Sequence, residues 1–267
     1  MKKVILQCLL LILFPLLGLI ISLENPLYVY LAMQGNEVEP IRAFFTLLPF
    51  GERGVSVLSG LLISTLIWIP LTRSNKEKVF NNADKYGDHP KVVYLIAAKF
   101  LRYKTISLIN VPIYLQFYLV IHGVFDNFKI DENVSERSQA VSVGKRNMEL
   151  ISNEMNLVLS DTYKISKEQI PFNKRHLPTI TISNGNEFNG VRNFNTNFFE
   201  EVRIQTNTYS HNYGHINIFA TTNTNHNKAI IESCFNNAGR TGFKNLSVFQ
   251  FNTIERSFIK EHPILNS

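Results

Sequence analysis

Apolar residues gather in three runs within the first half of the chain, at about 4–23, 55–71 and 105–125, and no comparable run follows. The first is free of charge for about 20 residues, enough to cross a hydrocarbon core as a helix. Gln7 and Pro15 lie inside it, and both are tolerated in membrane helices. Lys2 and Lys3 resemble the start of a signal peptide. The run is longer than a usual signal core, however, and no small-x-small cleavage site closes it, so an uncleaved anchor is expected. The second run is shorter, with Trp68 placed as an interfacial anchor. Its Gly60 and Ser64 form a small-x-x-x-small pair suited to close helix contact. The third run holds Asn110, Pro112, Gln116 and His122. Read as a span, it turns Asn110 and Gln116 toward its neighbours, where amides join a three-helix bundle.

Beyond residue 125 the pattern turns polar. Val141, Met148, Ile151, Met155 and Val158 recur at helical spacing, predicting a helix over about 134–160. From residue 177 the period shortens to two. Strands are predicted over 179–183, with a turn at Asn184-Gly185, and over 202–208, 216–218 and 246–251. A turn cluster at 223–227 precedes a short helix over 229–238, and helical turns are expected over 254–262. The fold class expected is a membrane protein with a three-helix transmembrane anchor and an exported α+β domain built on a small antiparallel sheet. The organisation is a transmembrane region over 1–125, a helical stalk and linker over 126–176, and a mainly β domain over 177–267.

Charge gives this layout an orientation. The net charge is +6, and residues 72–104 hold eight bases against three acids. The positive-inside rule places that loop in the cytoplasm, together with Lys2 and Lys3. Segment 91–104 reads as a helix in the cytoplasmic interface, its bases meeting anionic headgroups. A third crossing then exports the C-terminal domain to the outer face of the inner membrane. From residue 126 onward fifteen bases face fourteen acids. The basic balance therefore reflects membrane topology, and nucleic acid is not expected as a partner. The expected partners are the lipid bilayer, other membrane or periplasmic proteins, and a second copy of the chain. Cys8 and Cys234 lie in separate regions and form no structural disulfide.

Candidate chemistry is sparse. His211, His215 and His226 form the one constellation with metal-ligand chemistry, with Glu200 and Glu201 upstream. Asn212-Tyr213-Gly214 is a turn sequence, however, so a helical spacing argument does not join the first two. No nucleophile elbow and no phosphate loop is present. No catalytic residue and no cofactor is therefore assigned. The reading is a non-catalytic interaction module, either an envelope, secretion or conjugation subunit or an immunity or exclusion protein. Tyr209, Tyr213 and Arg240, near turns, are its candidate contacts. Alternatives are a membrane-bound metal-dependent hydrolase using the three histidines and a small oligomeric channel lined by Asn110, Gln116 and His122.

Overall fold

The structure is a computed structural model that describes residues 2–20, 24–35, 37–47, 54–82, 86–185, 192–235 and 243–266. It divides into two compact units. The first comprises residues 1–78 and 89–104. Its helices are α1 (Lys2–Ile20), α2 (Glu24–Met33), α3 (Val38–Thr46), α4 (Gly54–Lys76) and α5 (Lys91–Leu95), the last running into a π-helical turn over Ile96–Phe100.

Helices α1 and α4 pack side by side because their facing residues are small or polar. A Cβ on Gly60 would fall on the Phe14 carbonyl, so only glycine admits this approach. One turn on, Ser64 Oγ donates to the Leu11 carbonyl at 2.8 Å. Near the end of α4, Gln7 Nε2 donates to Asn75 Oδ1 at 3.2 Å, and Asn75 Nδ2 donates to the Leu101 carbonyl at 3.0 Å. The outer faces carry exposed leucines, among them Leu6, Leu9, Leu13 and Leu16 on α1 and Leu58, Leu62 and Leu66 on α4. An apolar surface of that extent does not suit water. Over Ser56–Lys76, α4 is long and apolar enough to cross a membrane, and only 17% of its apolar window is buried. Among the described residues it is the one helix that meets both conditions.

The second unit comprises residues 79–88 and 105–267. A small parallel sheet joins β1 (Val79–Phe80), β2 (Thr105–Ser107) and β3 (Asn127–Lys129), with α6 (Ile113–Ile121) between the last two. There follow β4 (Ser135–Glu136), β5 (Val141–Arg146), β6 (Glu154–Ser160), β7 (Thr179–Asn184), β8 (Asn193–Phe194), α7 (Thr196–Tyr209), β9 (His215–Ala220), α8 (Thr224–Ile230), β10 (Asn245–Asn252) and β11 (Ser257–Leu265). The main sheet has the order β11-β10-β9-β6-β7-β5. Its four inner strands are parallel and both edges antiparallel.

The two faces of this sheet are built differently. On one, Leu157, Ile180, Ile218 and Val248 share a row across four strands, all at most 1% exposed. Helix α8 contacts both α6 and α7, and these helices with the π-helical turn Ile231–Phe235 bury Leu115, Phe117, Phe198, Val202, Ile230 and Phe235. On the other face, Val158, Phe219, Phe249 and Phe258 meet Ile165 and Ile170 of the β6–β7 connection. That connection crosses between parallel strands with two 3-10 turns in place of a helix.

This architecture corrects several expectations. The third apolar run is not a span. It divides into β2, a turn with Asn110 in left-handed backbone (φ 61°), and the nine-residue α6, entered at Pro112 and closed at Gly123 (φ 53°). Nine residues reach about 14 Å, and the run is apolar because it fills the core of the second unit. The three-helix anchor, the three-crossing topology and the exported C-terminal domain fall with it. The helix expected over 134–160 is β5 and β6, separated by Asn147 at φ 57°. Strand β6 is buried on both sides, so its apolar positions obey no period of two. The strand expected over 202–208 is part of α7, which buries Phe198, Val202 and Thr206 at intervals of four. The helical turns expected over 254–262 fall largely in β11, and the sheet is mainly parallel rather than antiparallel.

Replacing Gly60 by valine is expected to separate α1 from α4 and to lower the melting temperature of the full chain in detergent. The cost is on the order of 1–3 kcal/mol, as for other overpacked contacts. Gly144→Ala, where the nearest atom to a new Cβ is 4.0 Å away, should leave the melt nearly unchanged. Equal melts for the two variants would refute the close packing.

Candidate functional site

In an open parallel sheet, ligands favour the crevice beyond the carboxyl ends of the strands, where the strand order reverses. Here the chain goes from β6 to β7 on one side, then to β9 on the other, so that point lies between β6 and β9. Directly after β6 comes Asp161, and three residues after β9 comes Asn223. The Asp161 carboxylate is 2% exposed and accepts four hydrogen bonds. Asn184 Nδ2 donates to Oδ1 at 2.5 Å. To Oδ2 donate the Asn223 backbone N–H at 2.9 Å, Asn223 Nδ2 at 3.1 Å and His226 Nδ1 at 2.7 Å.

The same cluster caps two helices. Asn223 Oδ1 accepts from the N–H groups of Asn225 and His226 at the start of α8. Asn195 Oδ1 accepts from Asn197 at the start of α7. His226 lies between the rings of Phe194 and Phe198, and its Nε2 accepts the Asn195 N–H at 2.8 Å. That bond fixes the neutral tautomer with the proton on Nδ1. Deeper in the unit, Asn227 accepts from Thr222 and donates to Gln116 Oε1 at 3.0 Å. The donors of a helix N-terminus, which commonly hold a phosphate, are here taken by the protein's own asparagine caps, and the Asn223 N–H by the Asp161 carboxylate. Asp161 forms a sealed floor beneath the crevice.

At the opposite, amino ends of the strands the sheet is polar. Thr179, Asn156, Asn217 and Ser247 form one row across β7, β6, β9 and β10, continued by Arg146 on β5. Lys174 Nζ lies 2.7 Å from Glu154 Oε2, to which Asn217 Nδ2 also donates. His215 Nε2 meets Ser247 Oγ at 3.0 Å, and Ser247 donates to Glu261 at 2.7 Å. Beside this row a cleft of about 290 Å³ is lined by Asn153, His211, Asn212, Tyr213, Gly214, Lys244 and Asn245. Burial alone would raise the Glu154 carboxyl. The hydrogen bonds from Lys174 and Asn217, with the charges of Lys174 and His215, outweigh it and hold the group below its ordinary value. Burial pushes the His215 imidazole down, and Glu154 and Glu261 only partly offset that.

The three histidines are separated in role. His226 belongs to the buried floor, His215 opens β9, and His211 lies in the loop before it. Among the described residues, no three His, Cys, Asp or Glu side chains group as metal ligands. Tyr209 and Tyr213 stand with ring centroids 6.4 Å apart, and Lys145 lies over the Tyr209 ring. Arg240 lies outside the described residues. Asn110 shapes the turn before α6, and Gln116 is buried within the second unit, donating to the Val111 carbonyl. Gly60 and Ser64 face α1. Sequence reasoning gave no role to Asp161 and Asn195, and it read Asn184 and Asn223 as turn residues only. The available signal was their place directly after apolar strands and before helices.

Asp161→Asn is expected to destabilise the chain by about 3 kcal/mol, since it leaves donors buried without their acceptor charge. Chemical denaturation reads the loss, and an unchanged midpoint would show that the floor contributes nothing. A separate expectation concerns pH. Both Glu154 and His215 have folded values below their unfolded ones. The stability each supplies is present above the unfolded value and is lost as the pH falls. For His215 the loss begins at about pH 6.5, and for Glu154 at about 4.3. Thermal melts between pH 7 and 5 should decline, and His215→Gln should flatten that decline.

No curated protein matches the chain. Two solved structures, both of an Acinetobacter baumannii Cap4 SAVED/CARF-domain containing receptor, are similar to it, one with the cyclic trinucleotide 3'3'3'-cAAA and one with 2'3'3'-cAAA. Each is 8% identical with a TM-score of 0.47, covering 90% of this chain and 74% of that one. The exclusion of nucleic acid as a partner is withdrawn. It had rested on a membrane topology with a third crossing, and that run is a strand, a turn and a nine-residue helix. A family model described as the SMODS- and Ubiquitin system-associated 2TM effector domain matches residues 1–265. That description counts two transmembrane segments, not three, and names an effector rather than an envelope, secretion, conjugation or immunity subunit. The chain belongs to the SMODS- and Ubiquitin system-associated 2TM effector domain family.

Proposed function

We propose that this chain is a membrane effector whose α/β unit reads a soluble anionic signal and whose paired helices α1 and α4 deliver the response in a bilayer. The observation that carries this reading is the family match, which runs unbroken through both units. Two crossings return the chain to the side on which it began. The α/β unit then shares a side with Lys2, Lys3 and the basic 72–104 segment, which the positive-inside rule makes the cytoplasmic one.

The signal site lies above the Asp161 floor. Exposed Lys164, Arg192 and Arg256 follow the carboxyl ends of β6, β7 and β10, giving that edge of the sheet positive charge around a neutralised centre. Such an edge suits a ligand with several phosphodiester charges, of the cyclic oligonucleotide class. The floor supplies shape and rigidity, and the cations supply attraction.

Calorimetric titration of the full chain in nanodiscs with 3'3'3'-cAAA and with cyclic dinucleotides tests the signal. One of these should bind, and the triple variant Lys164→Glu, Arg192→Glu, Arg256→Glu should weaken it at least about tenfold, one charge-assisted contact's worth. Ligand-dependent release of a dye from vesicles holding the chain tests the response. Binding of none of these ligands sinks the signal class, and binding without release sinks the coupling.

A further inference from the structure

The basic end of the first unit forms a chemically distinct surface. The Gln7–Asn75 bond sets the start of α1 beside the end of α4, and the Asn75–Leu101 bond brings the segment after α5 to the same place. Lys2, Lys3, Arg73, Lys76, Lys99 and Arg102 are all exposed there. In the stretches that meet, residues 2–7, 72–78 and 91–104, Glu77 is the only acid. Trp68, on α4, lies against the last of these stretches. Its indole N–H donates to the Phe100 carbonyl at 3.0 Å, its ring lies 6.4 Å from that of Phe100, and the Arg102 guanidinium sits 5.2 Å from the indole. Arg102 takes left-handed backbone (φ 57°) as the π-helical turn ends. Val92 and Phe100 are 55% and 47% exposed beside these cations.

We infer that this surface is a binding site for anionic phospholipid headgroups, with Lys99 and Arg102 contacting the phosphate and Trp68, Phe100 and Val92 seated among the glycerol and upper acyl groups. Three observations converge on that ligand. Side-chain and backbone bonds hold an aromatic ring at the end of the apolar part of α4, where a bilayer's interface would fall. Arg102 sits over the ring, and the other exposed cations lie on the stretches that meet at this end, where Glu77 is the one acid among the described residues of those stretches. The exposed apolar residues beside them are too few for a protein interface and are matched to shallow insertion. A free phosphate would use the cations and leave the apolar rim in water. The headgroup of a phospholipid satisfies both. This site is independent of the proposed soluble signal and rests only on the bilayer placement of α1 and α4.

Trp68 is the only tryptophan in the chain, so its fluorescence reports on this surface alone. The full chain is reconstituted in nanodiscs of phosphatidylcholine containing a small fraction of either brominated phosphatidylcholine or brominated phosphatidylglycerol. Quenching by brominated phosphatidylcholine establishes that Trp68 lies in the bilayer, and its absence would overturn the placement itself. Brominated phosphatidylglycerol should reach half its maximal quenching at an about fivefold lower fraction, reflecting enrichment by several interfacial cations. Lys99→Gln with Arg102→Gln should remove that preference and leave quenching by the neutral lipid intact. High salt should weaken the preference, and excess inorganic phosphate should not abolish it. Equal quenching by the two lipids, or a preference unchanged in the double variant, would overturn the headgroup site. Full competition by inorganic phosphate would assign the cations to a free anion instead.

Discussion

A carboxylate without water needs donors on every side, and Asp161 finds them on β7, at the end of β9 and on α8. Those elements come together in the tertiary fold only, so the four hydrogen bonds tie β6 to its neighbours and the helix behind them. The arrangement is directional in a way that apolar packing is not. Leu157 or Ile218 would accept a shift of a fraction of an ångström, whereas His226 must place Nδ1 on Asp161 and Nε2 on the Asn195 N–H at once. Two helices take their first turns from the same cluster through Asn195 and Asn223. The position of α7 and α8 over the sheet, and with it the shape of the carboxyl edge, thus depends on one buried charge.

That dependence explains which parts of the fold were legible. Strands β7, β9 and β10 were recoverable because turn residues bound a β-branched or aromatic run. Strand β6 was not. Its Met155 to Leu159 run is buried from both sides, and it merges with upstream apolar positions into a false helical period. Helix α7 was lost for the opposite reason. Val202, Ile204, Thr206 and Thr208 alternate in sequence, but Ile204 is 50% exposed, so the alternation marks no buried face. The real stripe, Phe198, Val202 and Thr206, is signalled by the Asn195 cap that precedes it.

The third apolar run shows a different limit. Its composition is that of a membrane helix, yet Asn110, Pro112 and Gly123 divide it into a turn, a short helix and a stop. Hydropathy averaged over a window cannot distinguish lipid from a protein core, because both are apolar solvents. What distinguishes them is where the polar atoms go. Gln116 finds the Val111 carbonyl and Asn227 within the folded unit. Ser64, in α4, bonds a carbonyl of α1, and the outer faces of both helices keep their leucines exposed.

The two edges of the main sheet divide the chemistry between them. At the carboxyl edge the buried polar groups bond among themselves, leaving exposed Lys164, Arg192 and Arg256, with Glu255, as outward charge. At the amino edge, Glu154, Lys174, His215, Ser247 and Glu261 stay partly open and are held by pairwise contacts of both signs. An arriving anion meets Lys174 already paired with Glu154 at the second edge, beside Arg146 and Lys244. At the first edge the cations project and the carboxylate beneath them is saturated with donors. The strand order selects the first edge, and the donors around Asp161 offset the repulsion that its carboxylate would otherwise offer an anion there.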